Sequence, residues 1–198
     1  DKALIDLKSK PNSGESLIER LAKINKKVAV IMCVDAMIAG VDTTSSAAIG
    51  ILYCLARNQD KQEKLREELR RILRDKNEDL TPEKMRNMPF LRAVIKEGLR
   101  FYPPFFGHMR KTDEDLVFSG YQIPKGTEIV TSMLMSHMDE AQFPQPEKFI
   151  PERWLRSNPD PECPYAKDAH PFAYLPFGFG ARMCVGRRFA ALQLEILM

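Results

Sequence analysis

From residue 17 to about residue 73, apolar side chains recur at helical spacing, which predicts a succession of helices. Ser13-Gly-Glu-Ser16 opens the stretch. Its middle, residues 28–55, is apolar nearly all round, the pattern of a helix running through the centre of a large protein. The apolar run at 28–38 is interrupted by Asp35 and is too short to span a bilayer. Over residues 59–74 one face turns charged (Lys61-Gln-Glu-Lys-Leu-Arg-Glu-Glu-Leu-Arg70), so the helix there is amphipathic. Thr81-Pro82-Glu83 reads as an N-cap with proline at the first helical position. Pro89 opens another helix, which Pro103-Pro104 stops. Residues 116–118, 121–123 and 127–133 then read as short strands, with Gly120 and Pro124-Lys-Gly126 in the turns between them. Residues 143–179 are rich in proline and aromatics and read as ordered loop, and a last helix begins near Gly186. Nothing repeats internally. The pattern predicts a mainly α fold with a small β-sheet.

Composition adds little to this. Of 198 residues, 44% are hydrophobic and 29% charged, an ordinary globular balance. A net charge of +3 gives no ground for nucleic acid as a bulk partner. Four cysteines, at 33, 54, 163 and 184, form no paired metal motif and no secreted-type framework. Three of them read as buried free thiols in a reducing compartment. No signal or transit peptide is visible. The chain starts in mid-pattern at Asp1-Lys-Ala and stops in an unfinished apolar helix at Ile196-Leu-Met198, so both ends are expected to be cut.

The strongest chemical signal is Phe177-Gly-Phe-Gly-Ala-Arg-Met-Cys-Val-Gly186, a glycine-hinged loop leading a cysteine to the start of a helix. Gly178, Gly180 and Gly186 allow tight turns and close approach of a flat ligand. Free N–H groups and the positive dipole end of the helix favour a thiolate. Arg182 is a cation suited to an acidic ligand group. On residue chemistry alone, a glycine-rich loop holding a buried cysteine remains an equal alternative.

The loop also resembles the haem-ligand signature of the cytochrome P-450 family, Phe-x-x-Gly-x-Arg-x-Cys-x-Gly, at every fixed position. The resemblance extends over about residues 17–198. It implies the carboxy-terminal portion of a cytochrome P-450 fold, with residues 1–198 forming part of a single domain. It implies haem (iron protoporphyrin IX), with Cys184 as axial thiolate, Phe177 packed near the sulfur and Arg182 paired with a haem propionate. Arg110, between the helix-stopping prolines and the first strand, resembles the family arginine that meets a propionate. His108, two residues earlier, points the same way by strand alternation.

Glu97 and Arg100 stand at i and i+3 on one helix face among Leu91, Val94, Ile95 and Leu99, which favours a buried pair needing a further partner. They resemble the family's Glu-x-x-Arg motif, whose partner is the arginine of a Pro-Glu-Arg-Phe/Trp segment, with tryptophan at its last position an accepted variant. Here that segment is Pro151-Glu-Arg-Trp154, so the resemblance implies a structural Glu97–Arg100–Arg153 network supporting the cysteine loop. Ala39-Gly-Val-Asp-Thr-Thr44 puts poor helix formers inside the apolar helix. A tolerated polar kink is one reading. The other resembles the family's oxygen-activation motif, with Thr43 hydrogen-bonding bound dioxygen or its water and Asp42 relaying protons. His137 reads as a satisfied structural histidine and His170 as surface.

Ala39-Gly-Val-Asp-Thr-Thr-Ser45, Pro151-Glu-Arg-Trp-Leu155 and Cys184-Val-Gly-Arg-Arg188 are most similar to insect mitochondrial members. In that class basic positions matching Arg92, Lys96, Arg187 and Arg188 dock an acidic, adrenodoxin-like ferredoxin. A solvated helix face is the alternative. Gly98 stands where many members have threonine or serine and is not expected to matter. The resemblance implies mono-oxygenation of a small apolar molecule, steroid-like or xenobiotic, with O2 and ferredoxin electrons. Peripheral association with the matrix side of the mitochondrial inner membrane would follow. A haem-thiolate isomerase or dehydratase, a non-catalytic haem sensor, and an endoplasmic-reticulum enzyme served by a flavoprotein reductase are the alternatives. The fragment alone is not expected to fold as a stable haem enzyme, because its central helix is apolar on faces that need covering.

Overall fold

A computed structural model describes residues 16–75, 78–156, 163 and 166–198. Ser13 lies outside the described residues. The chain divides into two compact units, residues 1–42 and 43–198.

In the first unit, helix α1 (Leu17–Ile24) starts on Ser16. The Ser16 hydroxyl accepts from Glu19 N at 3.3 Å, and the Glu19 carboxylate accepts from Ser16 N at 2.7 Å. This reciprocal pairing satisfies two of the free donors of a helix start. Helix α2 (Lys26–Arg57) follows α1 with a single residue, Asn25, between them. Asn25 Oδ1 accepts from Lys27 N and Val28 N at 2.9 and 3.3 Å, which caps its start. Met37, Ile38 and Val41 are 70%, 67% and 61% exposed.

At 32 residues, α2 is long and apolar enough to cross a membrane by length and composition. Counting only the uninterrupted apolar run understated it, because the helix continues through Asp35 and Asp42. Two facts argue for a core helix instead. Acidic residues sit in its interior, and its carboxyl-terminal part packs into protein. Ala47, Ile51, Cys54 and Leu55, at helical spacing, are at most 4% exposed.

In the second unit, that buried face meets helix α5 (Pro89–Phe101). The expectation that Gly98 is immaterial is overturned here. A Cβ on Gly98 would lie 2.5 Å from Ile51 Cγ1 and 3.2 Å from Ile51 Cα. Gly98 is therefore the point of close approach between α2 and α5. Gly98→Thr is expected to destabilise the protein by about 1–3 kcal/mol, the usual cost of overpacking a core. A lowered thermal midpoint, partly restored by adding Ile51→Ala, is the expected result; an unchanged midpoint would show that the helices shift apart freely.

Helix α3 (Gln59–Ile72) is amphipathic and buries Leu65 and Glu68. The Glu68 carboxylate accepts from Phe90 N and Leu91 N at 3.0 and 2.8 Å. It caps α5, whose own N-cap residue, Met88, makes no side-chain cap. Helix α4 (Pro82–Arg86) begins at Thr81, whose hydroxyl accepts from Lys84 N at 3.3 Å.

Among the described residues four strands follow: β1 (Gly107–Lys111), β2 (Leu116–Phe118), β3 (Tyr121–Ile123) and β4 (Glu128–Ser132). They form two separate antiparallel pairs, β1–β4 and β2–β3. Strand β1 adds to the three strands read from sequence, and Arg110 lies inside it instead of ahead of the first strand. Ser119 and Gly120, with φ of 50° and 84°, make the two-residue turn between β2 and β3. The last predicted strand stops early because Ser132 caps helix α6 (Met133–His137), accepting from Met135 N. Single 3-10 turns at Pro151–Trp154, Ala166–Asp168 and Gly180–Arg182 punctuate the long loop, and α7 (Arg187–Leu197) ends the chain's secondary structure.

Candidate functional site

The cysteine loop is built by its glycines. Gly178 and Gly180 have φ of 76° and 73°, in the left-handed region that side chains disfavour. The chain thus doubles back, and Cys184 N donates to Phe177 O at 2.9 Å. Gly186 then starts α7, with Ala190 N donating to its carbonyl at 2.9 Å. The result presents Cys184 as an exposed free thiol just ahead of a helix amino terminus. That position sets the sulfur beside the free backbone N–H groups of a helix start. Arg182 is exposed in the same loop.

The other cysteines differ. Cys54 and Cys163 are buried, and burial pushes the Cys54 thiol up to about 12. Cys33 is only partly buried, so the expectation of three buried thiols holds for two.

Strand β1 lies against the loop. A Cβ on Gly178 would sit 3.3 Å from His108 Cε1, so the missing side chain is what admits the imidazole. His108 Nε2 is buried and has no hydrogen-bond partner in the protein. Arg110, two residues on, is exposed and donates to Met109 O at 2.7 Å. An exposed thiol, a loop stripped of Cβ atoms, an orphaned imidazole nitrogen and two exposed guanidiniums fit a flat ligand that carries a metal and an acidic edge. The donor set therefore fits haem.

A buried charge cluster stands behind the loop. Glu97 and Arg100 are 0% exposed and Arg153 is 1% exposed. Glu97 Oε1 accepts from Arg100 Nη2 at 2.9 Å, Arg153 Nε at 3.0 Å and Ile150 N at 3.0 Å. Its Oε2 accepts from Arg100 Nε at 3.0 Å and Trp154 Nε1 at 2.8 Å. Two guanidiniums against one carboxylate leave a surplus positive charge. Backbone carbonyls absorb it: Arg100 donates to His137 O and Pro146 O at 2.7 and 2.8 Å, and Arg153 to Pro144 O and Gln145 O at 3.1 and 3.3 Å. Such partners are what make buried ions tolerable.

Aromatic rings carry this cluster to the loop. The Trp154 and Tyr174 ring centroids are 4.5 Å apart, and Tyr174 Oη donates to Lys96 O at 3.0 Å. Tyr174 stands three residues before Phe177, so the loop's entry is pinned to α5. Sequence reasoning missed Tyr174 and treated Trp154 as a mere variant. The available signal was a ring with an N–H donor next to Arg153.

His137 is 0% exposed, and its Nδ1 donates to Arg100 O at 3.1 Å. Its Nε2 has no partner, so this histidine is satisfied at one nitrogen only. Burial, with the Arg100 charge adding to it, holds its pKa down at about 4 and keeps the ring neutral. His170 is exposed.

Three of the four singled-out basic residues share one groove. Arg92 and Lys96 from α5 and Arg187 from α7 line a cavity of about 360 Å³ beside Phe177. Arg92 is held in place by donating to Met85 O and Arg86 O at 2.6 and 2.9 Å. Burial, then the Arg92 and Arg156 charges, pull the Lys96 ammonium below the usual lysine range. Arg188 is exposed and does not line the groove.

Asp42 is exposed and Thr43 partly buried within α2, which runs through the polar motif as one unbroken helix. The neighbouring Thr44 is buried with its hydroxyl unpaired.

With this geometry in hand, the comparisons with known proteins converge. The family model described as Cytochrome P450 matches residues 3–198. The chain is 47% identical over 192 residues to cytochrome P450 CYP12A2 of Musca domestica, covering 94% of this chain and 36% of the relative. It is 50% identical over 194 residues to probable cytochrome P450 12b2, mitochondrial, of Drosophila melanogaster, covering 96% and 36%. Among solved structures, the retinoic acid bound cyanobacterial CYP120A1 superposes with a TM-score of 0.72 at 35% identity, over 83% of this chain and 35% of that one. The cytochrome P450DA haem domain superposes with a TM-score of 0.74 at 28% identity, over 82% and 35%. The chain thus spans about a third of the length of the relatives it matches.

Proposed function

This chain belongs to the cytochrome P450 family, and on that premise we propose that it is the haem-binding portion of a haem-thiolate monooxygenase acting on a small apolar molecule. The observation that carries the reading is Cys184, exposed on a glycine-hinged loop at the start of α7. Bound haem would supply activation of O2 and transfer of one oxygen atom to a C–H bond.

The residues have distinct tasks. Cys184 Sγ would hold the haem iron as a thiolate, with Phe177 screening it and Gly186 leaving room beside it. Arg182 and Arg110 would neutralise the acidic edge of the cofactor, and His108 Nε2 would gain the partner it lacks in the protein. Glu97, Arg100 and Arg153 keep the loop in register. Asp42 and Thr43 hold and pass protons toward the reacting oxygen. Electrons come from an acidic ferredoxin seated over Arg92, Lys96, Arg187 and Arg188. The names of the Drosophila relatives, which describe mitochondrial proteins, support a mitochondrial location; within it, the matrix side of the inner membrane is the place this reading assigns.

The test is reconstitution of the complete protein with ferredoxin, its reductase and O2. Thr43→Ala is expected to cut product formed per electron by about tenfold or more, with peroxide released instead, since a positioned proton donor contributes at least that much. Unchanged coupling would overturn the relay. Reduction by a flavoprotein reductase alone, with ferredoxin inactive, would overturn the mitochondrial assignment.

A further inference from the structure

The groove rimmed by Arg92, Lys96 and Arg187 has an apolar floor. Leu99 and Leu194 lie at its base, 4% and 1% exposed, with Ala191 and Phe177 on its walls. Ion pairs between proteins need no such depression, because carboxylates meet guanidiniums on open surface. A concavity of about 360 Å³ is instead the form of a seat for a side chain.

We propose that this groove takes an apolar side chain projecting from an acidic protein surface, with the three cations holding carboxylates around it. The proposal rests on the ferredoxin reading above and adds what that reading leaves out: an anchor residue on the partner. Charge complementarity identifies the partner's sign. The apolar floor identifies what enters.

Such an arrangement divides the work of binding. Rim charges steer encounter and weaken with salt, whereas a desolvated central anchor sets how long the complex lasts. Glu195 sharpens the assignment. Among the described residues it is the one carboxylate lining the groove. A partner carboxylate placed at that end would meet like charge, so an uncharged group belongs there. The seat also abuts the chemistry, because Phe177 on its wall accepts the Cys184 N–H at 2.9 Å.

The experiment fills the groove without touching any charge. In the complete haem-loaded protein, Ala191→Phe should raise the Kd for an adrenodoxin-like ferredoxin by about tenfold or more, with the slope of log Kd against log salt unchanged. Lys96→Gln should instead flatten that slope. A retained thiolate-type band in the reduced carbon-monoxide spectrum shows that the loop is intact; if Ala191→Phe loses it, the smaller Ala191→Leu is read by the same criteria. Wild-type affinity in the filled variant overturns the anchor and leaves ferredoxin docking standing. A wild-type protein that binds no ferredoxin, or binds it without salt dependence, overturns docking and the anchor with it.

Discussion

Replacing Glu97 with alanine should abolish the stable haem protein. The variant would leave Arg100 and Arg153, both at most 1% exposed, without the carboxylate that binds them. Removing one partner of a buried ion pair costs about 3–5 kcal/mol, because the remaining charge stays desolvated. That is a large share of the ~5–15 kcal/mol that holds a typical domain folded. Here two charges are stranded, and Trp154 Nε1 and Ile150 N lose their acceptor as well. Arg153→Leu provides the informative contrast. It removes the surplus positive charge and leaves Glu97 paired with Arg100, so it should destabilise less than Glu97→Ala. Thermal unfolding of the complete protein, with the yield of thiolate-type carbon-monoxide spectrum as second readout, measures both. If Arg153→Leu proves as damaging as Glu97→Ala, the charge balance described above is not what governs the cluster.

Cys184→Ser should have the opposite profile, with the fold kept and the chemistry lost. The hydroxyl is nearly the same size, and Cys184 is exposed, so no core is disturbed. The loop hydrogen bond is between backbone atoms, Cys184 N and Phe177 O, and survives the change. A serine oxygen does not supply a thiolate at neutral pH, so the thiolate-type spectrum should vanish. Mono-oxygenation should fall by more than the roughly 100-fold that loss of a metal site's outer-shell partner brings. Cys54→Ser and Cys163→Ser serve as controls, since those thiols are buried and Cys54 is held protonated. A thiolate-type spectrum that persists in Cys184→Ser would overturn the ligand assignment, and its loss in a control would relocate it.

The two variants separate what supports the site from what acts in it. In the chain they are 87 residues apart (184 − 97). In the fold the link runs from Glu97 through Trp154 to Tyr174, which enters the loop three residues before Phe177.

Much of this was already legible in the order of residues. Thr81 and Pro89 mark helix starts because capping and proline geometry act within one turn. Gly178 and Gly180 mark the loop because positive φ is a single-residue preference. The loop signature indicated the family directly, and the helical period with a few short strands indicated a mainly α fold. What escaped were interactions between distant residues. Strand β1 shows no alternation of its own and exists because β4 pairs with it across some twenty residues. Glu68 reads as one more surface acid of an amphipathic helix until α5 brings Phe90 N and Leu91 N to it. Gly98 reads as a neutral substitution until Ile51 arrives against its Cα. Arg92, Lys96 and Arg187 read as a charged surface; only the packing of α5 against α7 puts an apolar floor between them. By itself, then, the sequence determined helix limits, turns and the residues able to ligate a metal, because dihedral preference and side-chain chemistry are local properties. Burial, the partners of each charge and the shape of each cavity were decided only by the tertiary structure, because they depend on which distant segment arrives alongside.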